Sequence, residues 1–149
     1  MRKAKKLRVL FLCTGNSCRS QMAEAWARHL RPDLIDAYSA GLEPKGLDPM
    51  AVKVMAEVGV DMSGQISKHL DQFKGQTFDY VIAVCDHAKE VCPVFAGARR
   101  LIHVGFEDPP TLAKDAHSEQ EALGHYRRVR DQIRQFVEGM PDSLEKIDG

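Results

Sequence analysis

Four short apolar runs divide the chain, and stretches with helical spacing separate them. The runs are rich in branched side chains and cover residues 8–12, 37–40, 80–84 and 100–104. Alternation of such runs with helical segments is typical of a sheet whose parallel strands are joined by helices. The pattern therefore predicts an α/β fold with an open parallel sheet.

The spacing of apolar residues also predicts three helices. The first begins near Ser20 and stops before Pro32, because a proline disfavours helix in the residue before it. The second covers residues 49–58. The third is amphipathic and ends at Gly139 and Pro141. Its apolar face is formed by Ala122, Tyr126, Val129, Ile133, Phe136 and Val137.

Length and charge narrow the functional classes. The chain has 149 residues, with 21 basic and 21 acidic side chains. Zero net charge gives no global field that would favour nucleic acid or acidic membranes. The apolar run at residues 9–12 is too short for a membrane span or a signal peptide. We expect one domain over residues 1–149 that is a monomer in the cytoplasm. In that reducing compartment the four cysteines are more often catalytic, redox-active or metal-binding than structural.

The first apolar run leads into a loop of distinctive composition. Residues 13–20 read Cys-Thr-Gly-Asn-Ser-Cys-Arg-Ser and open the first predicted helix. Such a loop can turn its N–H groups inward and, with the positive end of the helix, bind a tetrahedral oxyanion. Gly15 and Asn16 can adopt the positive φ angles of a tight turn. The predicted oxyanion-binding residues are Thr14, Gly15, Asn16, Ser17, Cys18 and Arg19.

Three side chains of this loop suit nucleophilic catalysis. Cys13, at the base of an electropositive loop, is expected to exist largely as the thiolate, which is the attacking form. Arg19 offers a planar fork for two oxygens of the anion and for transition-state charge. Ser20 can donate a hydrogen bond to the thiolate. An inert buried cysteine followed by a surface arginine is the simpler alternative, but the strand–loop–helix context favours catalysis.

This loop resembles the phosphate-binding loop of the low-molecular-weight tyrosine-phosphatase family. The resemblance implies an open four-stranded parallel sheet flanked by helices on both faces. The general acid of the family is an aspartate in an Asp-Pro pair on a late loop. Asp108 precedes Pro109 after the fourth predicted strand, so the resemblance assigns it the protonation of the leaving oxygen.

Two further cysteines extend the resemblance to arsenate reductases that thioredoxin regenerates. Cys85 ends the third predicted strand, and six residues separate it from Cys92. The resemblance implies that Cys13 attacks arsenic, that Cys85 then attacks Cys13 and releases arsenite, and that Cys92 attacks Cys85. Thioredoxin would reduce the last disulfide. No step needs Cys18, for which we expect a packing role. The similarity also covers Cys-Thr-Gly-Asn-Ser-Cys-Arg-Ser-Gln-Met-Ala-Glu from Cys13, Tyr-Ser-Ala-Gly from Tyr38 and Arg-Val-Arg-Asp from Arg128.

The resemblance bears on bound cations as well. Some of these reductases hold potassium beneath the anion loop, and the matching positions here are Asn16, Glu24, Ser39 and Lys68. Lys68 replaces the aspartate of the potassium-binding members, and its ammonium group can take the place of the cation beside Glu24. We therefore expect no resident cofactor and no potassium requirement.

Two alternatives stay open at the level of the sequence. A tyrosine phosphatase needs only the loop and the acid, although Pro110 and Thr111 stand where phosphotyrosine enzymes carry aromatic residues. A metal-binding or arsenite-binding module is the other. It would use Cys13, Cys18, Cys85 and Cys92, with His87 or His103 as a further ligand. The gap between Cys85 and Cys92 is wider than in a structural zinc knuckle, and Arg19 would lie uncompensated beside the metal.

Overall fold

The computed structural model describes residues 6–85 and 95–147, with side chains as far as residue 144. Its four strands are β1 (Leu7–Leu12), β2 (Ile35–Ala40), β3 (Phe78–Ala83) and β4 (Ala98–His103). They form one sheet in the order β2-β1-β3-β4, and each neighbouring pair is parallel. The prediction of an open four-stranded parallel sheet is confirmed.

The three predicted helices are present with small shifts at their ends. The helices are α1 (Arg19–Leu30), α2 (Pro49–Glu57), α3 (Pro109–Ala113), α4 (Glu119–Glu138) and α5 (Asp142–Ile147), with a short 3₁₀ helix at Leu70–Phe73. The sequence did not predict α3, α5 or the 3₁₀ helix, because elements of four to six residues are too short to show a helical period. None of the described helices has the length and apolar character needed to cross a membrane.

Both faces of the sheet are covered, as predicted. On one face, side chains of all four strands pack with α1, α2 and α4 around the fully buried Trp26, whose indole N–H donates to the Arg130 carbonyl over 3.1 Å. On the other face, Leu10, Leu12 and Val81 pack against the 3₁₀ helix. Because successive side chains of a strand point to opposite faces, strands buried on both faces read as continuous apolar runs.

The strand register brings distant segments to one edge. Leu12 of β1 pairs with Ala83 of β3, and Ala83 pairs with His103 of β4. The pairing continues one step beyond the strands, since the Val84 N–H donates to the Leu12 carbonyl over 2.8 Å. Parallel strands end at the same edge, so the segments that follow β1, β3 and β4 are neighbours there.

Candidate active site

The loop between β1 and α1 is clamped from outside by residues 41–48. Three backbone N–H groups of this segment donate to loop carbonyls: Glu43 to Thr14 (2.9 Å), Lys45 to Gly15 (3.0 Å) and Asp48 to Ser17 (3.0 Å). In a trans peptide the N–H of the next residue points opposite to the carbonyl. The clamp therefore turns the amides that follow these carbonyls away from residues 41–48. On that opposite side of the loop they can donate to an anion.

Gly41 makes the close approach of this clamp possible. A Cβ atom on Gly41 would lie 2.6 Å from the Thr14 carbonyl oxygen and 2.7 Å from that of Cys13. No side chain fits at that distance. The Gly41 N–H donates to the Lys68 carbonyl over 3.0 Å, which fixes its position. A glycine here is thus a requirement of the loop, and it belongs to the Tyr-Ser-Ala-Gly segment noted in the sequence.

Asn16 supports the loop from within. It is fully buried and has a φ of 45°, a left-handed conformation that asparagine tolerates better than most residues. Its Oδ1 accepts from the Lys68 N–H over 2.8 Å and from Gln21 Nε2 over 2.9 Å. Gly15, the other residue expected to be able to adopt positive φ, does not do so. Asn16 alone makes the left-handed step of this loop.

Cys13 lies at the base of the loop with a hydroxyl beside its sulfur. Cys13 is 3% exposed, and its Sγ is 2.9 Å from the Oγ of the fully buried Ser20. That Oγ already accepts from Asn16 Nδ2 over 2.8 Å, which leaves the hydroxyl proton for the sulfur. A hydrogen bond to the charged form favours the thiolate. Cys13 and Ser20 thus have the geometry of an activated nucleophile.

The Asp-Pro loop after β4 completes the site. The Arg19 side chain is buried, donates from Nη1 to the Phe106 carbonyl over 3.1 Å and places Nε 3.5 Å from Asp108 Oδ1. The other Asp108 oxygen accepts from the Thr111 hydroxyl over 2.7 Å. A cavity of about 160 Å³ opens in front of these groups. It is lined by Cys13, Thr14, Gly15, Ser17, Cys18, Arg19, Lys45, Asp108 and Pro110.

Cys18 lies in the same loop, but its surroundings disfavour its thiolate. Burial raises the pKa of the Cys18 thiol, and the carboxylates of Asp48 and Asp108 raise it further. Its backbone carbonyl accepts the Met22 N–H over 2.8 Å and so begins α1. A protonated, buried thiol at this position suits packing rather than nucleophilic attack.

Cys85 lies at the same edge, two residues beyond β3. It is fully buried and disulfide-bonded. Cys13 and Cys18 are both free. His103 Nε2 is 2.5 Å from the Cys85 carbonyl oxygen and must donate to it, because a carbonyl can only accept. Cys92 and His87, which the sequence analysis also named, lie outside the described residues.

The four positions matched to a potassium site do come together. The buried Glu24 carboxylate accepts from Ser39 Oγ over 2.7 Å and lies 3.8 Å from Lys68 Nζ. That Nζ also donates to the Ile66 carbonyl over 2.7 Å. Burial lowers the pKa of Lys68, and Glu24 opposes the shift. Within residues 6–85 and 95–147 there is no group of three or more His, Cys, Asp or Glu side chains arranged for a metal.

Two residues of the site had no role assigned to them from the sequence. Gln21 is fully buried and donates to the carbonyls of Asn16 and Ile66 over 3.0 Å each. Lys45 lines the cavity from a Glu-Pro-Lys-Gly stretch that resembles any polar loop. The bond of Gln21 to Ile66 and that of Lys45 to Gly15 join segments that are remote in the chain, so only the folded structure shows what these residues do.

Known proteins are similar to this chain in sequence and in fold. An arsenate reductase of Halalkalibacterium halodurans is 47% identical over 84% of this chain and 88% of its own. The solved structure of an arsenate reductase in the phosphate-binding state is 34% identical, with a TM-score of 0.75 over 95% of this chain and 98% of that one. A thioredoxin-dependent arsenate reductase of Corynebacterium glutamicum is 26% identical, with a TM-score of 0.60 over 93% and 63% of the two chains. The model of the low molecular weight phosphotyrosine protein phosphatase family matches residues 8–148. The chain belongs to this family.

Proposed function

We propose that this protein is an arsenate reductase that reduces arsenate to arsenite with its own thiols in arsenic detoxification. The observation that carries the proposal is a pair of sulfurs at one edge of the sheet. Cys13 is free inside an oxyanion cavity, and Cys85 is disulfide-bonded on the neighbouring strand end. A phosphatase needs only the first sulfur, whereas reduction of arsenate needs two electrons and hence two thiols.

The first step forms a bond between sulfur and arsenic. Arsenate lies in the cavity, held by the loop amides and by Arg19. The Cys13 thiolate attacks arsenic, and an oxygen leaves as water after Asp108 supplies a proton. Ser20 holds the thiolate before the attack. Arsenic remains in its +5 state, bound to Cys13 through sulfur.

The later steps transfer the electrons. The Cys85 thiolate attacks the Cys13 sulfur, the sulfur–arsenic bond breaks, and its electron pair leaves with arsenic as arsenite. Cys92 then attacks Cys85 and expels the Cys13 thiolate. The disulfide at Cys85 supports this scheme, because the scheme takes the Cys85 sulfur through disulfides in its second and third steps. An external dithiol restores both thiols.

We infer that thioredoxin is this dithiol and that the protein works as a monomer in the cytoplasm, where thiols stay reduced. The named dependence of the Corynebacterium relative on thioredoxin supports the choice of reductant. The second candidate function is hydrolysis of phosphate monoesters, for which Cys13, Arg19 and Asp108 suffice. No aromatic side chain lines the cavity among the described residues, which disfavours phosphotyrosine as the main substrate.

The test separates the thiols by step. Cys85→Ser should lose arsenite release while retaining slow aryl-phosphate hydrolysis, since no second thiol can expel arsenite. Cys92→Ser should release about one arsenite per chain and then stall. The measurement is a single-turnover arsenite assay with peptide mapping of the disulfide that accumulates. If Cys85→Ser turned over arsenate with thioredoxin like the parent protein, the relay would be wrong and the phosphatase function would lead.

We also propose that the protein needs no potassium, because Lys68 supplies the positive charge beneath the loop. The Lys68 ammonium lies near Glu24, and the Lys68 N–H holds Asn16. A cation at the same place would meet a like charge. Lys68 thus contacts the anion loop through its backbone N–H and the Glu24 carboxylate through its side-chain ammonium.

Salt exchange at constant ionic strength tests this proposal. The activity of the parent protein should agree within about twofold between potassium chloride and sodium chloride. Its melting temperature should agree within about 1 °C. Lys68→Asp should gain a potassium dependence, because a carboxylate replaces the ammonium. Lys68→Met is the matched control, which lacks both charges. Several-fold activation of the parent protein by potassium would contradict the proposal.

A further inference from the structure

The cavity in front of Cys13 carries a second basic residue, Lys45. Its backbone N–H donates to the Gly15 carbonyl over 3.0 Å. Its aliphatic stem covers Gly15, since Cδ and Cγ lie 3.3 Å and 3.5 Å from where a Gly15 Cβ would be. Both contacts fix the residue on the anion loop, and Lys45 lines the cavity with Cys13 and Arg19.

The two basic residues differ in how their charge is used. The Arg19 guanidinium faces Asp108 and donates to the Phe106 carbonyl. Lys45 is exposed, and its ammonium makes neither an ion pair nor a hydrogen bond with any described residue. Asp108 lines the cavity too, but it faces Arg19. No carboxylate of residues 6–85 or 95–144 therefore pairs with the charge of Lys45 at the cavity.

We propose that Lys45 is an oxyanion-binding residue that captures the doubly charged substrate before Cys13 attacks it. The role of arsenate rests on the proposed function; the anion chemistry also includes phosphate and sulfate. A long, exposed side chain contributes through charge more than through fixed geometry. Lys45 should therefore lower the dissociation constant and the KM of the anion while leaving the bond-breaking step unchanged.

Inorganic phosphate is the probe for binding without turnover, measured as protection of Cys13 against iodoacetamide. Lys45→Met keeps the stem over Gly15 and removes the charge. At low ionic strength it should weaken phosphate binding about three- to tenfold, the range of a partly exposed charge pair. The loss should shrink to about twofold or less near 1 M salt, because screening removes the charge effect. Lys45→Arg should bind phosphate within about twofold of the parent protein.

Lys74→Met is the matched control. Lys74 is exposed and precedes β3, so it lies toward the opposite edge of the sheet, and its loss changes the net charge equally. Equal weakening by Lys74→Met, or unchanged phosphate binding in Lys45→Met, would overturn the proposal. With arsenate, Lys45→Met should raise KM about three- to tenfold at a kcat within about twofold. A fall in kcat at unchanged KM would also overturn it. A parent protein that binds phosphate but does not reduce arsenate would refute the reductase function while the phosphate comparison still tests Lys45.

Discussion

Cys13 and Cys85 follow the carboxyl ends of neighbouring parallel strands, and both are buried, at 3% and 0% exposure. Their surroundings differ. Cys13 has the Ser20 hydroxyl 2.9 Å from its sulfur, inside a loop that is clamped from outside. Cys85 has a histidine on its backbone carbonyl and its sulfur in a disulfide. Burial and position are thus shared, and the two sulfurs differ in their surroundings: a hydroxyl lies beside one, and a disulfide holds the other. Changes around Cys13 should affect every reaction of an oxyanion, and changes around Cys85 only the reduction.

Cys13→Ser should have the largest effect and tests the first half of this comparison. Arsenate reduction and aryl-phosphate hydrolysis should both fall below detection, because a serine hydroxyl in this loop stays protonated and attacks poorly. Both rates are measured on the same preparation, with circular dichroism as the check on folding. If either reaction kept a tenth of its parent rate, Cys13 would not be the common nucleophile.

Asp108→Asn should slow both reactions about 10²- to 10³-fold, since each needs a proton on its leaving oxygen. The amide oxygen can still accept from Thr111, so the loop should keep its shape. Steady-state rates with arsenate and with an aryl phosphate provide the measurement. Glu107→Gln is the neighbouring control and should stay close to the parent protein, because Glu107 pairs with the exposed Arg128. If only one of the two reactions slowed, Asp108 would not be the general acid of both.

Gly41→Ala should damage the clamp of the loop. Its Cβ would overlap the Thr14 carbonyl oxygen at 2.6 Å, so the free energy of unfolding should fall by about 1–3 kcal/mol. Both activities should fall together. Denaturant unfolding and the two rate assays measure these effects. Gly64→Ala is the control, because a Cβ there meets nothing within 4 Å. Unchanged stability in Gly41→Ala would show that the clamp is not needed.

Ser20→Ala should slow alkylation of Cys13 near neutral pH about three- to tenfold, because it removes a hydrogen bond to the thiolate. Iodoacetamide rates followed by mass spectrometry give the measurement. Ser63→Ala is the control, since Ser63 is exposed and, among the described residues, its hydroxyl bonds Asp61 alone. Alkylation of Cys13 in the parent protein no faster than that of a free thiol would contradict the activated nucleophile.

His103→Leu should have the smallest effect, and it tests the second half of the comparison. Loss of the donor to the Cys85 carbonyl should loosen the strand end and slow arsenite release about two- to fivefold. Aryl-phosphate hydrolysis should be unchanged. His103→Gln keeps a donor and should recover part of the loss. Equal slowing of both reactions would show that His103 supports the whole edge of the sheet rather than the second sulfur.

Short elements mark one limit of sequence-based prediction here. The strands and the long helices α1 and α4 were predicted because each repeats a pattern over several residues. The helix α3 has five residues and begins at Pro109, so the sequence predicted a loop with an Asp-Pro pair there and not a helix. Asn16 has a positive φ and Gly15 does not. The side chain of Asn16 is held by the Lys68 N–H, from a segment remote in the chain, which the loop sequence does not show.

The sequence by itself determined the parallel α/β fold and the loop of residues 13–20, because periodicity and contiguous motifs are local properties. The resemblance of this loop to a known family then pointed to Asp108 as the candidate acid. The tertiary structure decided what surrounds them. It set the strand order, which brings the Cys13 loop, Cys85 and the Asp108 loop to one edge. It also revealed the need for glycine at position 41 and the place of Lys45. These depend on close contacts between segments remote in the chain, which spacing along one segment cannot encode.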